Sequence, residues 1–250
     1  MPSVLLLHGV QSSHNTWWRA TADLSELGWL VHTLDLLGHG DQTGWPGSVT
    51  MVEDMTADVA AARADLGPVD LVVGHSLGAI VGLALTARLP DLTRGLLIED
   101  PPGLGGDLRV ADVADQIEAD VAAAHRDPDG QVAAVMADNP LWSRRDAENS
   151  VRNRLQLDVD AVVGSLRQSH WDLPALVADC PVPVHLLMAP PVTSTVVGPD
   201  REALLRMLPA ERVTEVVSGH GIHRDRPGLW LQTVLEFAET LPRREGRQRD

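Results

Sequence analysis

The chain has 250 residues, of which 44% are hydrophobic and 22% are charged, which fits one large globular domain with a substantial core. Its formal net charge of -15 argues against nucleic acids or anionic membranes as partners, because both require a basic surface. No apolar run is long enough to span a bilayer, and Met1-Pro2-Ser3 leads into a predicted strand without a basic region or cleavage site, so we expect a cytoplasmic protein.

Short apolar runs alternate along the chain with segments of helical spacing. The runs predict buried strands at Val4–Leu7, Leu30–Leu34, Asp70–Val73, Gly95–Ile98, Pro183–Met188 and Arg212–Val217. The other segments predict helices at Trp17–Leu27, at Val52–Leu66, from Ala79 until Pro90 stops it, from Pro199 or Asp200, and at Leu229–Leu241. This alternation predicts an α/β fold, a mostly parallel sheet of about six or more strands with helices on both faces. The arginine-rich tail from Arg243 is expected to fray.

The alternation of predicted strands and helices stops between the fourth and fifth predicted strands. No β-like run occurs there, and apolar residues recur at helical spacing, as at Val110, Val113, Ile117 and Val121. We interpret residues 103–180 as an inserted helical cap. Residues 1–102 and 181–250 then form the core.

Polar residues follow several predicted strands directly: His8, Asp35, Ser76, Asp100 and His220. In a parallel α/β sheet, ligands bind beyond the carboxyl ends of the strands. We therefore expect these side chains to converge on one rim of the sheet.

The third strand runs into Gly74-His75-Ser76-Leu77-Gly78, a Gly-x-Ser-x-Gly pattern followed by an apolar helix. This context predicts a nucleophile elbow, in which a sharp turn exposes the serine hydroxyl above the sheet. Glycine fits both flanking positions because the strand and the helix converge there.

A serine hydroxyl needs a base within hydrogen-bond reach, and a carboxylate must orient that base. His220 lies between two glycines directly after the last strand and is the predicted base, with His223 as the alternative. His75 is predicted to be structural, because neighbours around a sharp turn point apart. Composition narrows the other chemistry: all twenty basic residues are arginine, which excludes Schiff-base lysine chemistry, and there is no tyrosine. The single cysteine, Cys180, excludes an internal disulfide.

In combination and order, the motifs from His8-Gly9 through the elbow to the late Gly-His resemble the α/β-hydrolases over nearly the whole chain. The resemblance implies that Ser76 is the nucleophile and His220 the base. It also implies an oxyanion hole formed by the backbone N–H groups of Val10 and Leu77. The chain begins at what is usually the third strand of the family, which agrees with a sheet of about six strands.

The position of the acid departs from the common pattern of the family. Many members place it in the turn after the cap, but here that turn, residues 189–195, contains no carboxylate. Some relatives, including zearalenone-type lactonases, place the acid at the end of the strand before the cap, which implies Asp100. Glu99 and Asp200 remain alternatives, since each preserves the order serine, acid, histidine. For Asp200, an N-cap role at the helix start is the non-catalytic interpretation.

The remaining site predictions concern the pocket and bound groups. Candidate pocket residues are His14, Trp142, Trp171 and Pro190. Asp35 and His39 have no spaced cluster of ligands around them, so we predict a hydrogen-bonded loop there, no metal and no cofactor.

These features predict a serine hydrolase that cleaves an ester or lactone of a fairly apolar small molecule through an acyl-enzyme, with lactones as the preferred subclass. A C–C hydrolase or a biosynthetic cyclase on the same fold is an alternative. From a different class, a ligand-binding receptor with a vestigial site would explain the missing acid at the usual position.

Overall fold

The structure is a computed structural model that describes residues 1–63, 66–103 and 110–242. Six parallel strands form one sheet in the order β2-β1-β3-β4-β5-β6, which confirms the predicted fold class. The strands are β1 (Ser3–Leu7), β2 (Leu30–Leu34), β3 (Leu71–His75), β4 (Leu96–Glu99), β5 (Val184–Met188) and β6 (Val213–Glu215).

The helices of the described residues also follow the predicted alternation, with small shifts at their ends. They are α1 (Trp18–Glu26), α2 (Met51–Ala62), α3 (Leu77–Arg88), α4 (Val110–Arg126), α5 (Pro128–Asp138), α6 (Arg144–Leu155), α7 (Val159–Leu166), α8 (Leu173–Ala178), α9 (Gly198–Met207), α10 (Ile222–Asp225) and α11 (Pro227–Thr240). Short 3-10 turns precede α1 and β6, at His14–Trp17 and Ala210–Arg212. Within the described ranges, none of the helices combines the length and apolar character needed to cross a membrane.

Side chains of alternate parity in β1 enter different halves of the core, as the period of a strand requires. Val4 and Leu6 belong to the cluster that contains Trp17 and Trp230 of the α1 and α11 side. Leu5 and Leu7 belong to the larger cluster on the other face, with residues of α2 and α3. Both faces of the sheet are therefore covered, and the strands read as continuous apolar runs.

The five helices α4 to α8 lie between β4 and β5 in the chain, where the cap is predicted. Ile117, Val121 and Leu166 from this segment join the larger core cluster, while α4, α5 and α6 share a small cluster of their own. Helix α6 begins with a capping box between Ser143 and Asp146. Residues 104–109 of the predicted cap and the tail from Arg243 lie outside the described residues.

Candidate active site

Ser76 occupies the turn between β3 and α3 with a left-handed backbone conformation, φ 53° and ψ -121°. A non-glycine residue in this region is strained and is held there by its surroundings. The backbone N–H of Ser76 donates to the carbonyl of Glu99 at 2.9 Å, and the carbonyl of Ser76 accepts from the N–H of Ala79 at 2.9 Å. These bonds fix the serine at the carboxyl end of the sheet.

The two glycines of the elbow have no room for a side chain. A Cβ on Gly74 would lie 2.3 Å from the carbonyl oxygen of Gly78, and a Cβ on Gly78 would lie 2.3 Å from that of Leu7. The predicted steric reason for both glycines is therefore confirmed. Gly9 also lies against the elbow, since its Cβ would come within 2.9 Å of Ser76 Cβ.

His220 and Asp100 form a direct pair near the elbow. The Nδ1–H of His220 donates to Oδ2 of Asp100 at 2.6 Å, and the carboxylate is fully buried while the histidine side chain is 34% exposed. A donor at Nδ1 leaves the lone pair of Nε2 free to accept a proton. His220 and Ser76 line the same cavity.

The Asp100 carboxylate collects further donors from the loop after β5, the loop that lacks a carboxylate of its own. Oδ1 accepts from the N–H of Ala189 at 3.1 Å and from the hydroxyl of Ser194 at 2.6 Å. Oδ2 accepts from the N–H of Thr195 at 3.0 Å. Burial raises the pKa of Asp100, but the hydrogen bonds from His220, Ser194 and Thr195 outweigh it and hold the pKa below its usual value. Asp100 is therefore ionised at neutral pH.

The other two candidate acids point elsewhere. Glu99 is fully buried; Oε1 accepts from the N–H and Nδ1–H of His223, and Oε2 accepts from Nε1–H of Trp230. Asp200 is the third residue of α9 and lies against Gly103, and the N-cap is Val197, so the predicted N-cap role of Asp200 is wrong. The helix starts two residues earlier than Asp200 because Gly198 and Pro199 enter its first turn.

His75 packs between two other histidines, with its ring against His220 on one side and 4.9 Å from the ring of His223 on the other. The His75 ring lies 4.5 Å from the His220 ring, and its Nε2–H donates to the His220 carbonyl at 3.2 Å. Burial, and the charge of His220, place the pKa of His75 well below its usual value, so it stays neutral. His75 thus anchors the loop that carries His220, while His223 is buried on Glu99.

A cavity of about 580 Å³ lies over Ser76 and His220. Val10 and Leu77 line it, and the amide of Leu77 is in the first turn of α3, where N–H groups have no acceptor within the helix. Its walls include apolar side chains of the helical segment, namely Val110, Val113, Ile117, Leu166 and the predicted pocket residues Trp142 and Trp171.

The structure corrects the other two predicted pocket residues, since neither lines this cavity. His14 is exposed, and both its N–H and its Nδ1–H donate to the carboxylate of Asp35, at 2.6 and 2.9 Å. Pro190 starts a turn in which its carbonyl accepts from the N–H groups of Thr193 and Ser194. Both residues therefore form hydrogen bonds that stabilise their loops.

Two groups of described residues have ligand atoms close enough to hold a metal ion, each within 4.8 Å of one another. The group of His14, Asp35 and Asp41 is explained by hydrogen bonds in the loop, including the N–H of Asp41 to Asp35 at 3.0 Å. The group of His75, Glu99 and His223 is buried, and its carboxylate already accepts from three N–H groups. His39 donates within its own loop, to the carbonyl of Leu37.

Several residues at the site were not predicted from the sequence. Ser194 and Thr195 hold Asp100, and Arg224 and Asp225 of the short helix α10 line the cavity. The available signal was position alone, since 194 and 195 follow a strand end and 224 and 225 follow the predicted base.

Comparison with known proteins identifies relatives. A family model of the α/β hydrolase fold matches residues 2–181. Lipase LipV of Mycobacterium tuberculosis is 36% identical over 119 residues, 46% of this chain and 43% of the lipase, so the match spans less than half of that relative. The sn-1-specific diacylglycerol lipase ABHD11 of Mus musculus is 25% identical over 253 residues, 95% of this chain and 81% of the lipase. The crystal structure of E-2-(acetamidomethylene)succinate hydrolase has a TM-score of 0.76 at 20% identity, with 95% of this chain and 91% of the other covered.

Proposed function

Since the chain belongs to the α/β-hydrolase family, we propose that it is a serine hydrolase that cleaves an ester or lactone bond of a fairly apolar small molecule through an acyl-enzyme. The observation that carries the proposal is the hydrogen bond from His220 to the buried Asp100, beside a cavity that Ser76 lines. The similarity to two lipases supports a carboxylic ester as the type of bond.

In the proposed first step, Oγ of Ser76 attacks the carbonyl carbon while Nε2 of His220 takes the hydroxyl proton. Asp100 holds the ring through Nδ1–H and stabilises the imidazolium that forms. The N–H groups of Val10 and Leu77 stabilise the negative charge on the carbonyl oxygen, an effect worth roughly 3–4 kcal/mol per donor in comparable sites. The tetrahedral intermediate collapses, and His220 gives its proton to the leaving oxygen.

In the second step, water attacks the acyl group on Ser76. His220 accepts a proton from the water and returns it to the serine oxygen, which leaves as the hydroxyl. The acid product then departs, and the enzyme is restored.

The cavity supports a small and mainly apolar substrate. Its volume of about 580 Å³ is in the range that encloses a single small molecule. We propose that residues 103–180, which contain helices α4 to α8, form a cap. This segment supplies Val113, Ile117 and Trp171 to the wall of the cavity.

The test is hydrolysis of 4-nitrophenyl butyrate and of an aryl lactone by the wild type and by Ser76→Ala. We expect turnover of at least one substrate by the wild type and its loss in Ser76→Ala. Mass spectrometry should find a fluorophosphonate adduct on the peptide of Ser76 in the wild type only. Equal turnover by both proteins would refute the mechanism, and an inactive wild type that still binds these esters would favour the receptor alternative.

A further inference from the structure

Arg224 lines the cavity and has an unusual set of partners. Its Nε donates to the hydroxyl oxygen of Thr16 at 2.8 Å, and its Nη2 donates to that oxygen and, at 3.3 Å, to the hydroxyl of Ser12. Among the described residues, no carboxylate oxygen lies within 4 Å of the guanidinium. Its direct hydrogen-bond partners among the described residues are therefore neutral hydroxyl groups, and the carboxylates of Asp146, Glu99 and Asp225 act on its charge only from a longer distance.

The other arginine of the cavity wall shows the contrast. Arg154 pairs with the carboxylate of Asp120 at 3.2 Å and donates to the side-chain oxygen of Gln131 at 3.2 Å. Asp225, which follows Arg224 in the chain, has its oxygens occupied by Nε1–H of Trp142 and by the N–H of Gly219. Neither Asp120 nor Asp225 forms a direct ion pair with Arg224, although the charge of Asp225 still acts on it.

The guanidinium is held firmly in place. Its carbon lies 4.4 Å from the centre of the Trp142 ring, a cation–π distance. Thr16 accepts from Arg224 and donates its own proton to Nε2 of His223 at 2.9 Å, and His223 is fixed in turn by Glu99. Burial lowers the pKa of Arg224 to about 10, so the group remains charged at neutral pH.

A partly buried cation without a carboxylate in direct contact is costly, and a forked guanidinium is suited to bind a carboxylate through two hydrogen bonds. The Nη1 group of Arg224 makes no hydrogen bond to the described residues and is available for such a ligand. Arg224 also lies near the proposed base: a Cβ on Gly221, the residue after His220, would be 3.8 Å from Cδ of Arg224.

We infer that Arg224 determines specificity by binding a carboxylate of the substrate, so that the preferred ester is apolar along its length and carries one anionic group. The inference rests on the proposed function and narrows its substrate class. His223 and Glu99 form a second histidine–carboxylate pair, which has no part in the proposed hydrolysis. In this inference the pair holds Arg224 in position through Thr16.

The experiment compares matched charged and neutral esters at two chain lengths: the 4-nitrophenyl monoesters of adipic and suberic acid against 4-nitrophenyl hexanoate and octanoate. We expect the wild type to have the higher kcat/KM for the charged member of at least one pair. Arg224→Gln should lower kcat/KM for that charged ester by at least about tenfold, since a charge-assisted pair is lost, and change the neutral ester much less. Arg224→Lys should keep part of the preference, which covers the case that Arg224→Gln does not fold.

Arg154→Gln is the matched comparison, because Arg154 also lines the cavity but is already paired with Asp120. The Arg154→Gln variant should keep the wild-type preference for the charged ester. A wild type without preference, or a preference that survives in Arg224→Gln, overturns the inference. Binding of adipate and hexanoate to Ser76→Ala by calorimetry separates this result from a failure of the proposed function. Turnover that persists in Ser76→Ala would refute the hydrolase mechanism, while adipate binding that depends on Arg224 would still support the anion site.

Discussion

Asp100 and His220 meet across 120 positions of sequence through a hydrogen bond of 2.6 Å, although the carboxylate comes from the end of β4 and the imidazole from the loop after β6. The loop after β5 donates to Asp100 through Ala189, Ser194 and Thr195. That loop therefore supports a carboxylate at the end of the neighbouring strand.

The first prediction concerns Asp100→Asn. An amide at this position no longer stabilises the imidazolium of His220, and its NH₂ group favours the wrong tautomer. We expect kcat to fall by on the order of 10³–10⁴-fold. The measurement is steady-state hydrolysis of an activated ester, with circular dichroism as the check on folding.

Asp200→Asn is the control for this prediction. Asp200 is buried in the first turn of α9, so Asp200→Asn should lower stability by up to about 2 kcal/mol and leave kcat within about threefold. If the loss of kcat appeared with Asp200 and not with Asp100, the assignment of the acid would be wrong.

The second prediction separates Glu99 from the chemistry. The Glu99 carboxylate is buried and accepts hydrogen bonds from three N–H groups. In Glu99→Gln, the NH₂ group of the glutamine must face at least one of these N–H donors, so that hydrogen bond is lost. We expect the free energy of unfolding to fall by roughly 2–4 kcal/mol, while kcat of the folded protein falls far less than for Asp100→Asn. Urea unfolding and kcat per active site, titrated with a fluorophosphonate, measure both effects.

Glu148→Gln is the matched control, since Glu148 forms an exposed pair with Arg144 at spacing i, i+4. Its effect on unfolding should stay within about 0.5 kcal/mol. A kcat loss for Glu99→Gln as large as that for Asp100→Asn would contradict the separation of roles.

The order and type of the long elements were predictable from the sequence because apolar runs and helical spacing are local signals. Helix ends were less accurate: α2 ends at Ala62 with Arg63 as its C-cap, where the prediction continued to Leu66, and residues 64–65 of that prediction lie outside the described residues. Helix α10 was not predicted, since its four residues are too few for a period to show.

At the site, the sequence marks Ser76 by its glycines and His220 by its place after a strand, but it leaves three carboxylates open. The choice depends on contacts between distant segments, such as the 2.6 Å bond from Ser194 to Asp100, which leave no local pattern. The same holds for His14, whose partner Asp35 follows a different strand.

The third prediction is a loss of stability with acid that comes from buried neutral histidines. His8 uses both ring nitrogens: Nδ1–H donates to the carbonyl of Gly9 at 2.8 Å, and Nε2 accepts from the N–H of Leu36 at 3.0 Å. Burial, and the nearby His39, lower the pKa of His8 to about 3. The pKa values of His75 and His223 are lowered in the same direction by burial.

The sign follows from proton binding. Below pH 6.5 the unfolded chain takes up a proton at His8, while the folded chain does not until about pH 3. The contribution of each such histidine to stability is therefore fully present above its unfolded pKa of about 6.5 and is lost as the pH drops, by up to about 1.4 kcal/mol per pH unit, until about pH 3 for His8. Urea unfolding between pH 7.5 and 4.5 should show this decline.

His8→Gln tests the origin of this pH dependence. The variant should be less stable than the wild type at every pH. The slope of its free energy of unfolding against pH, between pH 6 and 4.5, should be smaller by the contribution of about one bound proton. An unchanged slope in His8→Gln would show that other groups cause the decline.

The last prediction uses two glycines with opposite surroundings. Gly78→Ala would place a Cβ 2.3 Å from the carbonyl oxygen of Leu7 and 2.5 Å from that of His8, both backbone atoms that cannot move aside cheaply. We expect it to lower stability by at least about 2–3 kcal/mol and to disturb the elbow that positions Ser76.

In Gly164→Ala, within α7, the new Cβ meets nothing within 4 Å, so the variant should be more stable by about 0.5–1 kcal/mol. Thermal unfolding should move in opposite directions for the two variants, by roughly 2–4 °C per kcal/mol; a stabilising Gly78→Ala would mean that the strand and helix do not converge as closely as described.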